Sequence, residues 1–451
     1  MLLTRHNRPL YSLRLFLLAA LSLLPALYAH AQEGVTIFSG GNAADRIRIA
    51  AADFKPGSPD PHTDELKRTF DKTLYDDLAS AGIFDMVSKS MIPQSQPGSP
   101  AEISLGQWSA APASAAYVAF GAVAVTGSRL AVNGFLDDTK NTQYPQVLSK
   151  QYSEDASADS ARQIAHRFAD EIILRLGGTP GIAETKIYYV HSGGGNKEIY
   201  EMDYDGANQH AVTHLGSISI SPRVSPDNTR LAFSSLGRDG FQVKMYSLLL
   251  GRIVAFPISG GTNLSPAWSP DGKTLAYSSS RSGDPEIYLT GLDGALSRRI
   301  TNFRGPDVSP VFNPRTGAQI AWISGRTGLP QLYTMESDGS SVQRLTDGGY
   351  VSSPSWSPNG QFLAFGWNRK YGPGAPGGQD IYVMEIATKK WIQLTHDEGP
   401  CDFPSWSPDG RHIVFSNGRG GQTRIVSMLA DGTERHALTG PGSDMPNWSW
   451  K

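Results

Sequence analysis

The 451-residue chain has a single cysteine, Cys401, so an internal disulfide, a CxxC metal knuckle and a redox pair are all excluded. Taken alone, that thiol reads as a small buried or loop residue. Net charge is nearly absent too, with 40 Lys and Arg against 42 Asp and Glu, a balance of -2. Nucleic-acid binding leaves a basic patch or a basic domain, so no such partner is expected. No apolar run reaches the roughly 18 residues that a membrane-spanning helix needs. HExxH and GxSxG do not occur, which leaves a zincin site and a nucleophile elbow unsupported. The ten histidines show no metal-ligand spacing; His166, beside Ile164 and Phe168, reads as a packing residue or a structural hydrogen bond. No catalytic residue, cofactor or resident metal is expected.

Glycine and proline are abundant, 48 and 30 residues, alongside 9 Trp and 17 Tyr, a composition of many turns and short strands. The chain opens with Arg5, Arg8 and Arg14, then the apolar "LFLLAALSLL" at 15–24, then "AHA" at 29–31. That is the pattern of a secretory signal peptide over residues 1–31, with the mature chain starting near Gln32 outside the cytoplasm.

A repeat dominates the C-terminal half of the chain. "SPRVSPD", "SPAWSPDG", "SPVFNPRTG", "SPSWSPNG", "FPSWSPDG" and "MPNWSW" place their first prolines at 222, 266, 310, 354, 404 and 446, a period of about 44 residues. The one long interval carries the Gly/Pro-rich insertion "NRKYGPGAPGGQD". Within each period an apolar strand such as "LAYSSS" follows the "SPDG" turn. A third strand such as "EIYLTGL" comes next, and a fourth ends in Thr301, Thr346, Thr395 or Thr439. Four short antiparallel strands per repeat make a β-propeller blade. The last copy has an inner strand only, while the segment from Lys186 has the other three. Together they complete a sixth blade, closed by the C-terminal strand, over residues 181–451.

Residues 32–180 do not repeat. Leu66, Phe70, Leu74 and Leu78 fall at i, i+4, i+8 and i+12, as do Ile164, Phe168, Ile172 and Leu176, marking two amphipathic helices. "RIRIAAADF", "AAYVAFGAVAV", "RLAVNGFLDD" and "QVLSKQYSED" read as strands. The expectation is an α/β domain of two helices on a mixed sheet, joined to the propeller by "GGTPGIAETK".

The passage "IAHRFADEIILRLGGTPGIAETKIYYV" at 164–190, joined to the "SPxWSPDG" blades, resembles the TolB family, the periplasmic propeller proteins of the Tol–Pal system. The resemblance implies a non-enzymatic, monomeric adaptor in the periplasm. One propeller face would bind the lipoprotein Pal, tying the chain to the outer membrane. The mature N-terminus, with Gln32, Glu33, Val35 and Ile37, would bind TolA. It also implies a part in outer-membrane integrity and in constriction at division.

The Asp of the "SPDG" copies, Asp227, Asp271 and Asp409 with Asn359 in one, reads as a turn former, because Pro presets φ, Asp bonds nearby N–H groups and Gly takes positive φ. Trp268, Trp356, Trp406 and Trp448 read as packing between blades. Five arginines, Arg238, Arg281, Arg326, Arg369 and Arg419, fall in the loop between second and third strands, at the end where the chain enters each inner strand. Ser219, Asn263, Asp307, Ser352, Asp402 and Asp444 lie two or three residues before the prolines at that end. The expected docking face therefore has an inner polar and acidic ring, Asn263, Asp307, Ser352, Asp402 and Asp444, with Arg281, Arg326 and Arg369 farther out. The arginines read either as ties between loops or as anchors for a partner. A channel cation facing Asp307, Asp402 and Asp444 stays open at this point, as do a glycan- or small-ligand-binding propeller and the accessory propeller of a hydrolase. The chain ends at Lys451 directly after the closing strand, which speaks against the hydrolase.

Overall fold

The computed structural model describes residues 46–258, 260–294, 297–369, 378–396 and 398–450. The expected signal peptide and Gln32, Glu33, Val35 and Ile37 lie outside them.

The α/β domain carries β1 (Ile47–Ala51), β2 (Lys55–Pro56), α1 (Pro61–Ser80), β3 (Phe84–Met86), α2 (Leu105–Ser109), β4 (Tyr117–Thr126), β5 (Arg129–Asp138), β6 (Gln146–Asp155) and α3 (Ala158–Gly177). The sheet order is β3-β1-β4-β5-β6, with β2 also on β4. Pairing is parallel from β1 to β3 and β4, and antiparallel from β4 to β5 and β5 to β6, so the sheet is mixed. Two short strands and a one-turn helix, β2, β3 and α2, are additions to the sequence reading.

Asp60 caps α1 by accepting from the His62 N–H at 2.9 Å, and Pro61 opens it. Ser157 caps α3 in the same way, and Gly178 ends it at φ +74°. The helices bury Leu66, Phe70, Leu74, Leu78, Ile164, Phe168 and Ile172 on one side of the sheet, against Ile49, Ala51, Val123 and Val132. Ala50 of β1 and Val118 and Phe120 of β4, with Ala52 just past the end of β1, pack on Val87, Trp108 and Ala113 on the other side. Period-two alternation thus serves two cores from the same strands. No helix among the described residues is long and apolar enough to cross a membrane.

Six four-stranded sheets follow. Blades 1 to 5 begin with inner strands Ser219–Val224, Asn263–Trp268, Asp307–Phe312, Tyr350–Trp356 and Cys401–Trp406. The sixth begins with the C-terminal strand Ser443–Trp448, paired antiparallel to Lys186–Gly193, and continues with Asn196–Asp203 and His210–Ala211. Each inner strand touches the next around the whole ring, including first against last, so the propeller is closed and its inner edges are not left bare.

Every inner strand bulges at the residue before its proline. There Ser221, Ser265, Ser309, Ser353, Phe403 and Met445 all take φ between +50° and +55°. The ladder alternation therefore breaks just where the chain passes the channel.

The "SPDG" turns form as expected. Asp271 Oδ1 accepts from the Ser269 hydroxyl at 2.6 Å and the Lys273 N–H at 3.1 Å, and Asp227 and Asn359 repeat the pattern. The tryptophans pack across blade boundaries. Trp268 Nε1 donates to the Arg223 carbonyl of blade 1 at 2.9 Å, and Trp356 Nε1 to the Val311 carbonyl of blade 3 at 3.2 Å.

Candidate docking face of the propeller

Each blade has two ends. The "SPDG" end at blades 5 and 6 carries the α/β domain. Asp409 keeps its turn role there, accepting from the Arg411 N–H at 2.9 Å, and also holds the Arg411 guanidinium at 3.0 Å. Arg411 then donates to Thr179 Oγ1 at 2.9 Å, and His412 Nε2 lies 2.7 Å from the Ser80 carbonyl. Burial works against the Asp409 charge, but His412 and Arg411 outweigh it and hold the carboxyl well below the usual range. The opposite end, with the loops between second and third strands and those entering each inner strand, takes no contact from the α/β domain among the described residues.

The loops at that free end are pinned by a recurring clamp. In five of the six blades, all but the first, a threonine after the fourth strand accepts from a backbone N–H near the start of the third strand. These bonds run from Ile199 to Thr213, Ile287 to Thr301, Leu332 to Thr346, Ile381 to Thr395 and Ile425 to Thr439, at 2.8–2.9 Å. In four blades the same hydroxyl donates to a side chain one residue earlier: Glu198, Glu286, Gln331 or Asp380. Burial pushes the Glu286 carboxyl above its ordinary value, while the Thr301 bond pulls it back in part.

The arginines follow a second pattern. Arg281 lies 4.0 Å from the Tyr288 ring centroid and also bonds the Tyr277 hydroxyl. Arg326 sits among Phe303, Trp322 and Tyr333 at 4.9–5.3 Å, and pairs with Asp307 at 2.9 Å. Arg369 lies over Trp367 and Tyr382. Arg238 is exposed, and Arg419 ends the second strand of its blade. Arg281 and Arg326 thus tie loops to aromatic walls, which leaves Arg238 and Arg369 as the more open cations.

The expected inner ring resolves into two rows. Three residues before the proline stand Ser219, Asn263, Asp307, Val351, Cys401 and Ser443, all buried between blades. Asn263 donates to Gln242 Oε1 at 2.7 Å, and Asp307 is held by Arg326. Neither lines the channel mouth, which corrects that part of the sequence reading. Two residues before the proline stand Ile220, Leu264, Val308, Ser352, Asp402 and Asp444, all half-buried around the mouth. Strand residues one apart face opposite ways, so an expectation spanning both positions mixed two faces.

The true mouth ring is apolar over blades 1 to 3 and polar over blades 4 to 6. The Ser352 hydroxyl donates to Asp402 Oδ1 at 2.8 Å, and the Phe403 N–H reaches the same oxygen at 2.7 Å. Burial pushes Asp402 up to about 6 despite these bonds. Asp307, turned into its blade, does not share a wall with Asp402 and Asp444, and no cluster of three metal-ligating side chains occurs among the described residues.

Comparison with known proteins places the chain. The TolB beta propeller domain profile matches residues 174–373 and 348–451, and the TolB amino-terminal domain profile matches 35–144. The chain belongs to the TolB family. A protein TolB homolog of Chlorobium luteolum is 32% identical over 290 residues, 64% of each chain. The Tol-Pal system protein TolB of Gluconobacter oxydans is 34% identical over 297 residues, 65% of this chain and 63% of the relative. The chain therefore spans less than two thirds of the length of either relative. The crystal structure of TolB from Acinetobacter baumannii matches with a TM-score of 0.75 at 25% identity, over 90% of this chain and 97% of that one.

Several features of this TolB-family chain escaped the sequence reading. The final Thr was visible as a repeat in four blades, but the side chain 15 residues upstream that it bonds changes among Glu286, Gln331 and Asp380. Arg223 went unnoticed although it stands where the other copies have Ala267, Val311, Ser355, Ser405 and Asn447. Aligning the copies column by column exposes it.

Proposed function

We propose that the chain is a periplasmic adaptor of the Tol–Pal system with no catalytic role. Its free loop face docks Pal, and its N-terminal segment, around Gln32, Glu33, Val35 and Ile37, engages TolA. In that role it supports outer-membrane integrity and constriction during division. The observation that carries the reading is the division of the propeller ends: one is occupied by the α/β domain at blades 5 and 6, and the other is free and built on pinned loops. Pre-ordered loops reduce the entropy lost on docking. The mouth ring sets the polarity of the contact. Apolar groups of the partner fit over Ile220, Leu264 and Val308, and polar or cationic groups fit over Ser352, Asp402 and Asp444.

Titration of the purified chain with the soluble Pal domain by calorimetry tests this. A dissociation constant below tens of micromolar, about -6 kcal/mol or better, is expected. Arg369→Glu, on an exposed site, and Asp444→Lys, at the half-buried mouth, are each expected to weaken it at least tenfold, the first with unchanged Tm. No binding between two folded proteins overturns the reading.

A further inference from the structure

The propeller channel holds a cation, Arg223, that pairs with no carboxylate among the described residues. Arg223 follows the inner-strand proline of blade 1, and its side chain lines two chambers in succession along the channel. The chamber nearer the mouth, of about 40 Å³, is walled by Ser221, Ser265, Ser309 and Ser353 with Phe403 and Met445. The farther one, of about 100 Å³, is ringed by Trp268, Phe312, Trp356, Trp406 and Trp448. Among the described residues the guanidinium donates one hydrogen bond, to the Pro222 carbonyl at 2.8 Å, and no carboxylate stands within ion-pair distance. Asp402 and Asp444, one residue beyond the serine tier, are held instead by the Phe403 and Met445 N–H groups. Burial lowers the Arg223 pKa to about 10, so the group stays charged at neutral pH. Arg223 is half-buried in the channel wall, and a charge held there without a carboxylate partner is left to water or to an anion. The hydroxyls of Ser265 and Ser309 in the adjoining tier have no hydrogen-bond partner among the described residues, so they are free to donate.

We propose that the channel binds a small monovalent anion, of chloride or bromide size, between the Arg223 guanidinium and the hydroxyls of Ser265 and Ser309. About 40 Å³ is room for such an ion, since a single water needs roughly 10–15 Å³ by the same measure. The site is independent of the Pal reading, because it lies inside the ring and below the mouth residues.

Crystals of the full mature chain grown in sodium bromide test the site directly, by anomalous scattering. An anomalous peak is expected within hydrogen-bonding reach of Arg223 and Ser265. In solution, replacing gluconate by chloride at constant ionic strength is expected to raise Tm saturably, by about 1–3 °C. Iodide is expected to quench tryptophan fluorescence with a saturable component, because the indoles ring the adjoining chamber. Arg223→Met removes both effects, and Arg223→Lys retains a weaker version. A channel without a bromide peak, or a peak with no saturable effect in solution, overturns the proposal, whether or not the Met variant folds.

Discussion

At the scale of single residues, what holds the free face together is a set of short polar contacts with buried partners. Thr346 is the clearest, with its hydroxyl accepting from the Leu332 N–H and donating to Gln331 Oε1, each at 2.9 Å. Thr346→Val keeps the shape and strands both groups, so a loss of about 1–3 kcal/mol is expected in urea unfolding, while Thr346→Ser stays near wild type. Arg326 tests the tie reading of the arginines. Its carboxylate partner Asp307 is fully buried, so Arg326→Leu leaves an uncompensated charge and is expected to cost about 3–5 kcal/mol. Replacing Asp307 by Leu as well recovers much of that loss, and Arg238→Ala, on an exposed site, stays within about 0.5 kcal/mol. The turn role of Asp271 was legible in the sequence because a turn is local chemistry, complete within five residues. The roles of Asn263 and Asp307 were not, because the face a strand residue presents depends on a register that a single step reverses.

At the scale of elements, the blades were legible because four strands recur with their own punctuation. The bulge was hidden, since nothing in "SPxW" requires the serine to take positive φ. It matters because it shifts the ladder as the inner strand passes from the mouth tier to the chamber tier. The mouth tier then leaves a carboxyl, Asp402, in a place that disfavours its charge. Its pKa is raised from 3.8 to about 6, so the folded state prefers the proton. The stabilisation is therefore full below the unfolded value and is lost as pH rises through about 6. Asp402→Asn keeps an acceptor for Ser352 and Phe403 but cannot ionise. Its Tm is expected to exceed that of wild type near pH 8 and to match it near pH 5, as read by thermal scans across that range. The two long helices were equally legible from their spacing, but the close fit between them and the sheet was not. A Cβ at Gly134 of β5 would stand 2.8 Å from the Phe168 ring of α3, a contact visible only in three dimensions.

At the scale of the whole molecule, the α/β domain and the propeller are joined by a buried polar network that no linear motif announces. Asp77 of α1 accepts from the Tyr204 hydroxyl of blade 6 at 2.5 Å and lies 2.8 Å from His166 Nδ1 of α3. Arg162 lies 3.3 Å from the other imidazole nitrogen and pairs with Asp205 at 2.9 Å, and more loosely with Asp203. Residues from two helices and one propeller hairpin meet here, 77 to 205 in the chain, so spacing along the sequence gave only the packing role of His166. Burial works against a charged imidazole, but the hydrogen bond and charge of Asp77 outweigh it and raise His166 above its ordinary 6.5, with Arg162 opposing weakly. Both Asp77 oxygens serve as acceptors. Burial pushes the Asp77 carboxyl itself above its ordinary value, against the bonds from His166 and Tyr204, so the two partners compete for the same proton. A group whose pKa is raised on folding stabilises fully below its unfolded value, and loses that contribution as pH rises through the folded one. Wild-type stability is therefore expected to fall as pH rises above the ordinary histidine value, the side on which the proton leaves. Asp77→Asn should flatten that slope as well as lower the plateau, while Tyr204→Phe lowers the plateau and keeps the slope. Urea unfolding at each pH gives both quantities, and an NMR titration of the His166 ring shows whether its proton is the one lost. An unchanged slope in Asp77→Asn would assign the pH dependence to other groups and leave the network a purely structural joint.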